Sequence, residues 1–181
     1  MSIYDAKRVP LSKLQREKRQ GEFPYYGAAA LMDHVDAYLF DGIYLLMGED
    51  GSVTHDDGTP FLQYVWGKFW VNNHAHVLQG ANGFSTEFLF CGLSSINISP
   101  YVTGAVQAKL NQANMKRMPL VTPTKEVLNA FDFSVLPLFE KRRLNIEESK
   151  TLAQLRDALL PKLMSGEIRV MDAEKEIEAV A

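Results

Sequence analysis

The spacing of apolar residues changes near residue 122 and divides this 181-residue chain into parts with different folds. Before that point, short apolar runs are separated by glycine- and proline-containing turns, a pattern typical of strands with a few short helices. After it, leucines recur at helical spacing as far as Ser165-Gly166, which is typical of a helix end. We therefore predict an α+β fold. It has a mixed α/β globular domain at 1–121 with a small mixed or antiparallel sheet, a long helical arm at 122–168 and a frayed acidic tail at 169–181.

The clearest strand of the globular domain is residues 43–47, which are continuously apolar, as a strand buried on both faces is. The preceding Asp41-Gly42 is typical of a hairpin turn and predicts that the strands on either side pair with each other. Residues 67–80 are rich in aromatic and β-branched side chains and predict one or two strands that turn near Asn72-Asn73. Two stretches rich in turn residues are predicted to be exposed loops, residues 52–60 and 80–86.

The arm is predicted to hold two helices. Thr122 is a candidate N-cap with Pro123 at the first helical position, and Ser134 can cap a second helix that Pro161 kinks or ends. Residues 135–160 of such a helix would be roughly 39 Å long, which is too long to pack within so small a domain. We therefore expect the second helix to pair with a partner helix.

An apolar stripe runs along this second helix and is interrupted by polar residues in its middle. A helix with one such stripe buries it by pairing, so we predict a two-fold homodimer of the coiled-coil type. The leucines predicted to form the dimer are Leu138, Leu152, Leu155, Leu159 and Leu163.

Charge and composition restrict the class of protein. The net charge of −3 argues against a general nucleic-acid binder. Residues 1–20, however, hold six Lys or Arg against Asp5 and Glu17, so we expect the concentrated positive region at the N-terminus. The first residues are too polar for a signal peptide, and no apolar run approaches the roughly 20 residues that span a bilayer. Because Cys91 is the only cysteine and lies in an apolar context, we expect a cytoplasmic protein with a buried thiol.

The sequence holds no motif for nucleophilic catalysis or nucleotide binding. One pair of residues has catalytic potential, His74 and His76, because residues i and i+2 of a strand lie on one face and two histidines there can bind a metal. A cupin-type metal enzyme would also need a glutamate four or five residues further on, where this chain has Gly80 and Ala81. We therefore favour histidines that hold the strand and its turn by hydrogen bonds. A metal-dependent small-molecule enzyme stays an alternative.

Five separated segments of the chain follow one another in an order typical of a known family. They are PYYGA at 24–28, DAYLFDGIYLL at 36–46, GEDG at 48–51, GKFWVNNHAHVL at 67–78 and LAQLRDALLPKLMSGEI at 152–168. Together they resemble the DNA specificity (S) subunit of type I restriction-modification enzymes. Members of that family usually carry two target recognition domains and two helical spacers. This chain resembles a half-length subunit with one of each.

The resemblance implies a function in which this chain is not the catalyst. An S subunit reads DNA, binds no cofactor itself and docks two kinds of partner. Modification subunits use S-adenosylmethionine to methylate adenine N6, and restriction subunits use ATP and Mg²⁺. A homodimer of half-length subunits would place two identical domains on an inverted, bipartite target in double-stranded DNA. An interaction-only remnant, which docks the modification subunit without reading DNA, is the second alternative.

The resemblance also implies that basic side chains contact phosphates and loop side chains contact bases. We expect base contacts from the loops 52–60 and 80–86. Asp56 and Asp57 in the first loop would repel phosphate, unless they accept hydrogen bonds from cytosine N4 or point into solvent. The residues predicted to contact DNA are Lys7, Arg8, Lys13, Tyr26 and Lys68.

Overall fold

The computed structural model of the protein describes residues 1–104 and 106–169. The chain divides into two compact units, residues 1–133 and the part that begins at Ser134. The predicted α+β fold is confirmed, because the described chain forms two four-stranded sheets followed by a long C-terminal helix. None of the described helices is long and apolar enough to cross a membrane.

Strands dominate the first unit, and one long helix follows them. The elements of the described chain are β1 (Ser2–Ile3), α1 (Lys13–Glu17), β2 (Gln20–Tyr26), β3 (Leu31–Val35), β4 (Phe40–Asp41), β5 (Tyr44–Gly48), β6 (Leu62–Val65), β7 (Lys68–Val71), β8 (Ala75–Gln79), α2 (Thr86–Ser94), α3 (Gln112–Met115) and α4 (Lys125–Ser165). Short 3-10 helices form at Asp5–Lys7 and Ser99–Tyr101.

The first sheet has the strand order β1-β8-β5-β6 and is antiparallel throughout. Its central strand β5 is buried on both faces, as predicted for residues 43–47. Leu45 and Met47 pack into one hydrophobic cluster with Leu89 of α2, whereas Leu46 packs into a second cluster with Phe69 of β7. Successive side chains of a strand point to opposite faces, so this sheet lies between two cores.

The second sheet has the order β3-β2-β7-β4 and is mixed, because β2 runs parallel to β7 while its other pairs are antiparallel. Phe69 of β7 faces the first sheet. Trp70, the next residue, packs with Tyr25 and Leu11 on the opposite face. The N-terminal segment therefore covers the outer face of the second sheet.

The predicted hairpin at Asp41-Gly42 is wrong. The strand before it, β4, pairs with β7 in the second sheet, and the strand after it, β5, pairs with β6 and β8 in the first. Gly42 has a φ of +131°, which glycine adopts at no steric cost. The ring of Tyr44 then packs edge-on against Phe69. This turn joins two sheets because that exchange buries an aromatic cluster between them.

The prediction of two arm helices is also wrong, because α4 is one helix of 41 residues and about 62 Å long. Both Pro137 and Pro161 lie inside it, and each proline removes only one backbone hydrogen bond from the helix. The helix begins after Thr124, whose hydroxyl accepts a hydrogen bond of 3.5 Å from the Val127 N–H. Thr124 thus takes the capping role predicted for Thr122.

Candidate nucleic-acid interface

A network of buried charged groups lies at one end of the first sheet, where β5 ends and β8 begins. Asp5 and Arg8 come from the N-terminal 3-10 helix and the residue after it, Glu49 follows β5, and His76 lies in β8. Asp5, Glu49 and His76 each offer one potential metal-ligand atom, and these atoms lie within 4.8 Å of one another, a spacing that could hold a metal ion. Arg8 contacts both carboxylates of the group, so a guanidinium already balances their charge.

Asp5 is the centre of this network. Its Oδ1 accepts a hydrogen bond of 2.9 Å from the Val77 N–H, and its Oδ2 lies 2.6 Å from His76 Nδ1 and from Gln112 Nε2. Burial raises the pKa of this carboxyl, but the hydrogen bonds from His76 and Val77 and the positive charges of His76 and Arg8 outweigh it. The net effect holds the pKa of Asp5 below its ordinary value.

His76 is fully buried, and both of its ring nitrogens face acceptors. Nε2 lies 2.7 Å from the carbonyl oxygen of Leu110, and Nδ1 faces the Asp5 carboxylate. A carbonyl oxygen and an ionised carboxylate can only accept hydrogen bonds, so both nitrogens donate. His76 therefore joins residue 5, β8 and residue 110 into one unit.

Arg8, which was predicted to contact DNA, lies in this network with 11% of its side chain exposed. Its Nη1 lies 2.5 Å from Glu49 Oε2 and 2.6 Å from the carbonyl oxygen of Ala75, and its Nε donates to the carbonyl of Asp5 at 3.0 Å. These partners occupy the planar fork that a phosphate would need. The geometry gives Arg8 a structural role.

The two histidines of the His-x-His motif do not form a same-face pair. His74 precedes β8, 48% of its side chain is exposed, and its Nδ1 bonds Asp50. Its backbone N–H donates to the side-chain oxygen of Asn72 at 2.8 Å. His76 is buried in the charge network instead. This geometry agrees with the interpretation of these residues as hydrogen-bonded scaffold and not with a metal pair.

Three of the lysines predicted to contact DNA are exposed. The ammonium of Lys7 lies 5.3 Å from the ring centroid of Tyr4, and that of Lys68 lies 4.8 Å from the ring centroid of Tyr38. Lys13 is the first residue of α1. All three side chains are exposed to solvent, so these lysines can reach phosphate.

Tyr26 is half-buried, with its ring edge-on to Phe69 at 5.9 Å. It pairs with Val71 at the end of β7, whereas Lys68 begins that strand. Phe69 and Lys68 are consecutive residues of a strand and point to opposite faces. The structure therefore does not bring Tyr26 and Lys68 together.

The loops predicted to read bases lie at opposite ends of the first sheet. The loop 52–60 follows β5 at the end where Gly48 pairs with Ala75. The loop 80–86 follows β8 at the other end, and Ser85 in it donates a hydrogen bond of 2.7 Å to Asp132 of α4. Among these two loops, only 52–60 therefore lies beside the charge network.

A second basic segment was not predicted. Residues 88–125 hold four Lys or Arg and no Asp or Glu. Residues 21–122 as a whole hold nine acidic and four basic residues. A charge count over that long window therefore does not reveal the basic segment. A charge count in shorter windows would have found this segment. In the structure its residue Leu110 accepts the hydrogen bond from His76, and its residue Gln112 donates to Asp5, so the charge network supports it.

Cys91 does not have the environment of an activated nucleophile. It is half-buried, and burial together with the nearby carboxylate of Glu87 raises the pKa of its thiol. A thiol with a raised pKa is protonated at neutral pH and nucleophilically weak.

Comparison with known proteins gives a consistent family. A family model described as type I restriction modification DNA specificity domain matches residues 2–156. A putative type I restriction enzyme specificity subunit of Haemophilus influenzae is 36% identical over 107 residues, which are 59% of this chain and 27% of that protein. The HindI specificity subunit of the same organism is 35% identical over 89 residues, 46% of this chain and 19% of that protein.

The fold of the chain is also that of a solved specificity subunit. The crystal structure of the type I restriction-modification S subunit from M. genitalium superposes with a TM-score of 0.63 at 15% identity. The match covers 91% of this chain and 43% of that chain, so this chain spans less than half of each of these relatives. Because the family model covers most of its length, the chain belongs to the type I restriction-modification DNA specificity domain family.

Proposed function

We propose that this chain is the DNA-reading component of a type I restriction-modification system and that its recognition domain binds one half-site. The observation that carries the proposal is the family match over residues 2–156, which includes both sheets and most of α4. Specificity subunits are not catalytic, and the chemistry would belong to partners. We propose a modification subunit that methylates adenine N6 with S-adenosylmethionine and a restriction subunit that uses ATP and Mg²⁺, with no cofactor held by this chain.

We assign phosphate contacts to Lys7, Lys13 and Lys68, because each is exposed and a lysine serves phosphate as a point charge. We also assign a DNA contact to Tyr26, which is the last residue of β2 and lies beside the turn that follows it. Arg8 is assigned to the fold instead of to DNA, since its partners already use its guanidinium.

We further propose that two copies pair through α4. Leu138 and Leu152 are 66% and 58% exposed in one copy. Leu155, Leu159 and Leu163 line an apolar groove on the same helix. An exposed apolar stripe on a rod of about 62 Å is covered efficiently by a second helix of the same kind.

The charges of α4 favour an antiparallel pair that crosses at Asn145. In such a pair, residues equally far from Asn145 on its two sides face each other. Arg142 then faces the partner's Glu148, and Leu138 faces the partner's Leu152. A parallel pair would instead place Arg142 beside its own copy, and like charges at such positions are unfavourable.

The direct test of the dimer is light scattering on the full chain at micromolar concentration, with the variant Leu155→Asp. We expect a dimer mass for the native chain and a monomer mass for the variant. The matched control is Gln154→Asp, an exposed residue outside the groove and on the opposite side of the helix from Asn145, which should stay dimeric. A monomer mass for the native chain would end the dimer proposal.

A charge exchange tests the direction of the helices. The variant Arg142→Glu should weaken the dimer, because glutamate would face the partner's Glu148. Adding Glu148→Arg to the same chain should restore it. Parallel helices predict no rescue of this kind, because every exchanged residue would still face its own copy.

DNA binding is tested by incubating the chain with a random-sequence duplex pool and sequencing the bound fraction. We expect enrichment of one motif. Docking of the modification subunit without any enriched motif would instead support the interaction-only alternative.

A further inference from the structure

The basic segment 88–125 has the charge pattern of a surface that approaches DNA. It contains Lys109, Lys116, Arg117 and Lys125 and no carboxylate side chain, in a chain with a net charge of −3. Duplex DNA carries about one negative charge per 1.7 Å of axis. The segment itself therefore adds no carboxylate to the surface that meets the backbone, although Asp50 pairs with Lys109 at the base of the turn and Asn97 contacts Asp57 of the loop 52–60.

Within this segment the chain forms a turn that is closed by one isolated β-bridge between Thr103 and Lys109. The Thr103 N–H donates to the Lys109 carbonyl at 2.8 Å, and the Lys109 N–H donates back to the Thr103 carbonyl at 2.7 Å. Gly104 has a φ of +93°, so a residue with a side chain would be strained there. Ala105 lies outside the described residues and is not part of the proposed site.

The described residues at the tip of this turn offer the chemistry of base readout. Val106 is fully exposed, and an apolar side chain of this kind contacts the methyl group of thymine. Gln107 is also exposed, and its amide makes no hydrogen bond to another described residue. A free glutamine amide pairs bidentately with the N6 and N7 groups of adenine.

The base of the turn is fixed to the core. The Gly51 N–H donates to the Ala108 carbonyl at 3.0 Å, and the Leu110 N–H donates to the Glu49 carbonyl at 2.8 Å. The Leu110 carbonyl in turn accepts the hydrogen bond from His76. A tip on so rigid a base keeps its orientation, which sequence-specific contact requires.

The basic side chains flank this turn. Lys109 is the last residue of the turn. The helix α3 that follows is held to the segment before the turn, because the Asn114 side-chain amide donates to the Tyr101 carbonyl at 2.9 Å. Lys116 and Arg117 follow α3 and are exposed. The methionines on either side of that pair, Met115 and Met118, are buried, which fixes the backbone and directs the two cations outward.

We propose that this turn enters the major groove of the target, which is about 12 Å wide. Val106 and Gln107 read an A·T base pair, and Lys109, Lys116 and Arg117 contact the flanking phosphates. This inference rests on the proposed function and names the element that carries its specificity.

The test of base readout uses the full chain and a random-sequence duplex pool. The variant Val106→Ala/Gln107→Ala should bind the pool within about threefold of the native affinity, because its phosphate contacts remain. Its enriched motif should lose the preference for A·T at one position per half-site. An unchanged motif would overturn the assignment of the tip.

The test of the phosphate contacts is the variant Lys109→Ala/Lys116→Ala/Arg117→Ala. Affinity should fall for every sequence, and the slope of log affinity against log salt should decrease by about 0.9 for each lost contact. A control, Lys150→Ala, removes an exposed lysine of α4 that pairs with Glu147 and should leave the slope unchanged. A triple variant with the same salt slope as the native chain would contradict the assignment of these three residues to phosphate contacts.

The controls separate failure of this inference from failure of the proposed function. The thermal unfolding midpoints of both variants should match the native one, since the altered side chains are exposed. A native chain that enriches no motif contradicts DNA recognition itself. A native chain that enriches a motif which neither variant alters contradicts only the assignment to this turn.

Discussion

The imidazole of His76 and the carboxylate of Asp5 lie 2.6 Å apart although 71 residues separate them in the sequence. The pair is buried and shares hydrogen bonds with Leu110 and Gln112. It therefore holds the N-terminal segment and the base of the basic turn on the same end of the first sheet. Two of the segments that we assign to DNA, the one that holds Lys7 and the one that holds Lys109, are therefore held by one buried pair.

Removing one partner of this pair is expected to destabilise the fold. Asp5→Ala removes the hydrogen-bond acceptor of the buried His76 ring and of the Val77 N–H and should lower the free energy of unfolding by about 3–5 kcal/mol, measured by urea denaturation. The control is Asp36→Ala, whose ion pair with Arg19 is largely exposed and whose loss should cost much less. Equal costs in the two variants would show that the buried pair contributes nothing special.

The lowered pKa of Asp5 predicts that the protein loses stability as the pH falls below the ordinary pKa of a carboxyl group. A carboxyl whose folded-state pKa is below its ordinary value of 3.8 adds stability above that value and loses it as pH falls through the folded-state pKa. Urea midpoints measured as pH decreases from neutral should therefore fall less steeply below 3.8 in Asp5→Asn than in the native chain. Parallel curves would contradict the assigned ionisation of Asp5.

Arg8 and Lys7 are adjacent, yet their replacement should have different effects. Arg8→Ala removes partly buried hydrogen bonds to Glu49 and Ala75 and should lower the thermal midpoint by several degrees. Lys7→Ala should leave the midpoint unchanged and weaken binding to all DNA sequences, with a salt slope smaller by about 0.9. A destabilised Lys7 variant, or an Arg8 variant with native stability and a reduced slope, would reverse the two roles.

Lys13 and Lys68 lie on different elements, α1 and β7, and are expected to act independently. Their Ala variants should each weaken DNA binding, and the two losses in free energy should add in the double variant because distant sites seldom couple. Filter binding at one fixed salt concentration measures all three variants. A variant that binds as tightly as the native chain removes that lysine from the interface.

Local patterns predicted the strand at 43–47 and the helical arm. A continuous apolar run indicates a buried strand, and leucines at helical spacing indicate a helix, so both signals come from residues close together in the sequence. The Asp41-Gly42 turn failed as a hairpin, since the choice of sheet depends on the packing of Tyr44 against Phe69. The intramolecular partners of Arg8 were not predicted for a similar reason. Glu49 and the Ala75 carbonyl are far from Arg8 in the sequence, and only the fold brings them into contact with it.

The most direct test of the account is to reconstitute the chain with its modification subunit and map the methylated adenines on genomic DNA. An antiparallel dimer with one recognition domain per copy predicts a single bipartite motif whose two halves are inverted repeats. Methylation at an asymmetric motif, or a stable complex that methylates no defined sequence, would contradict it.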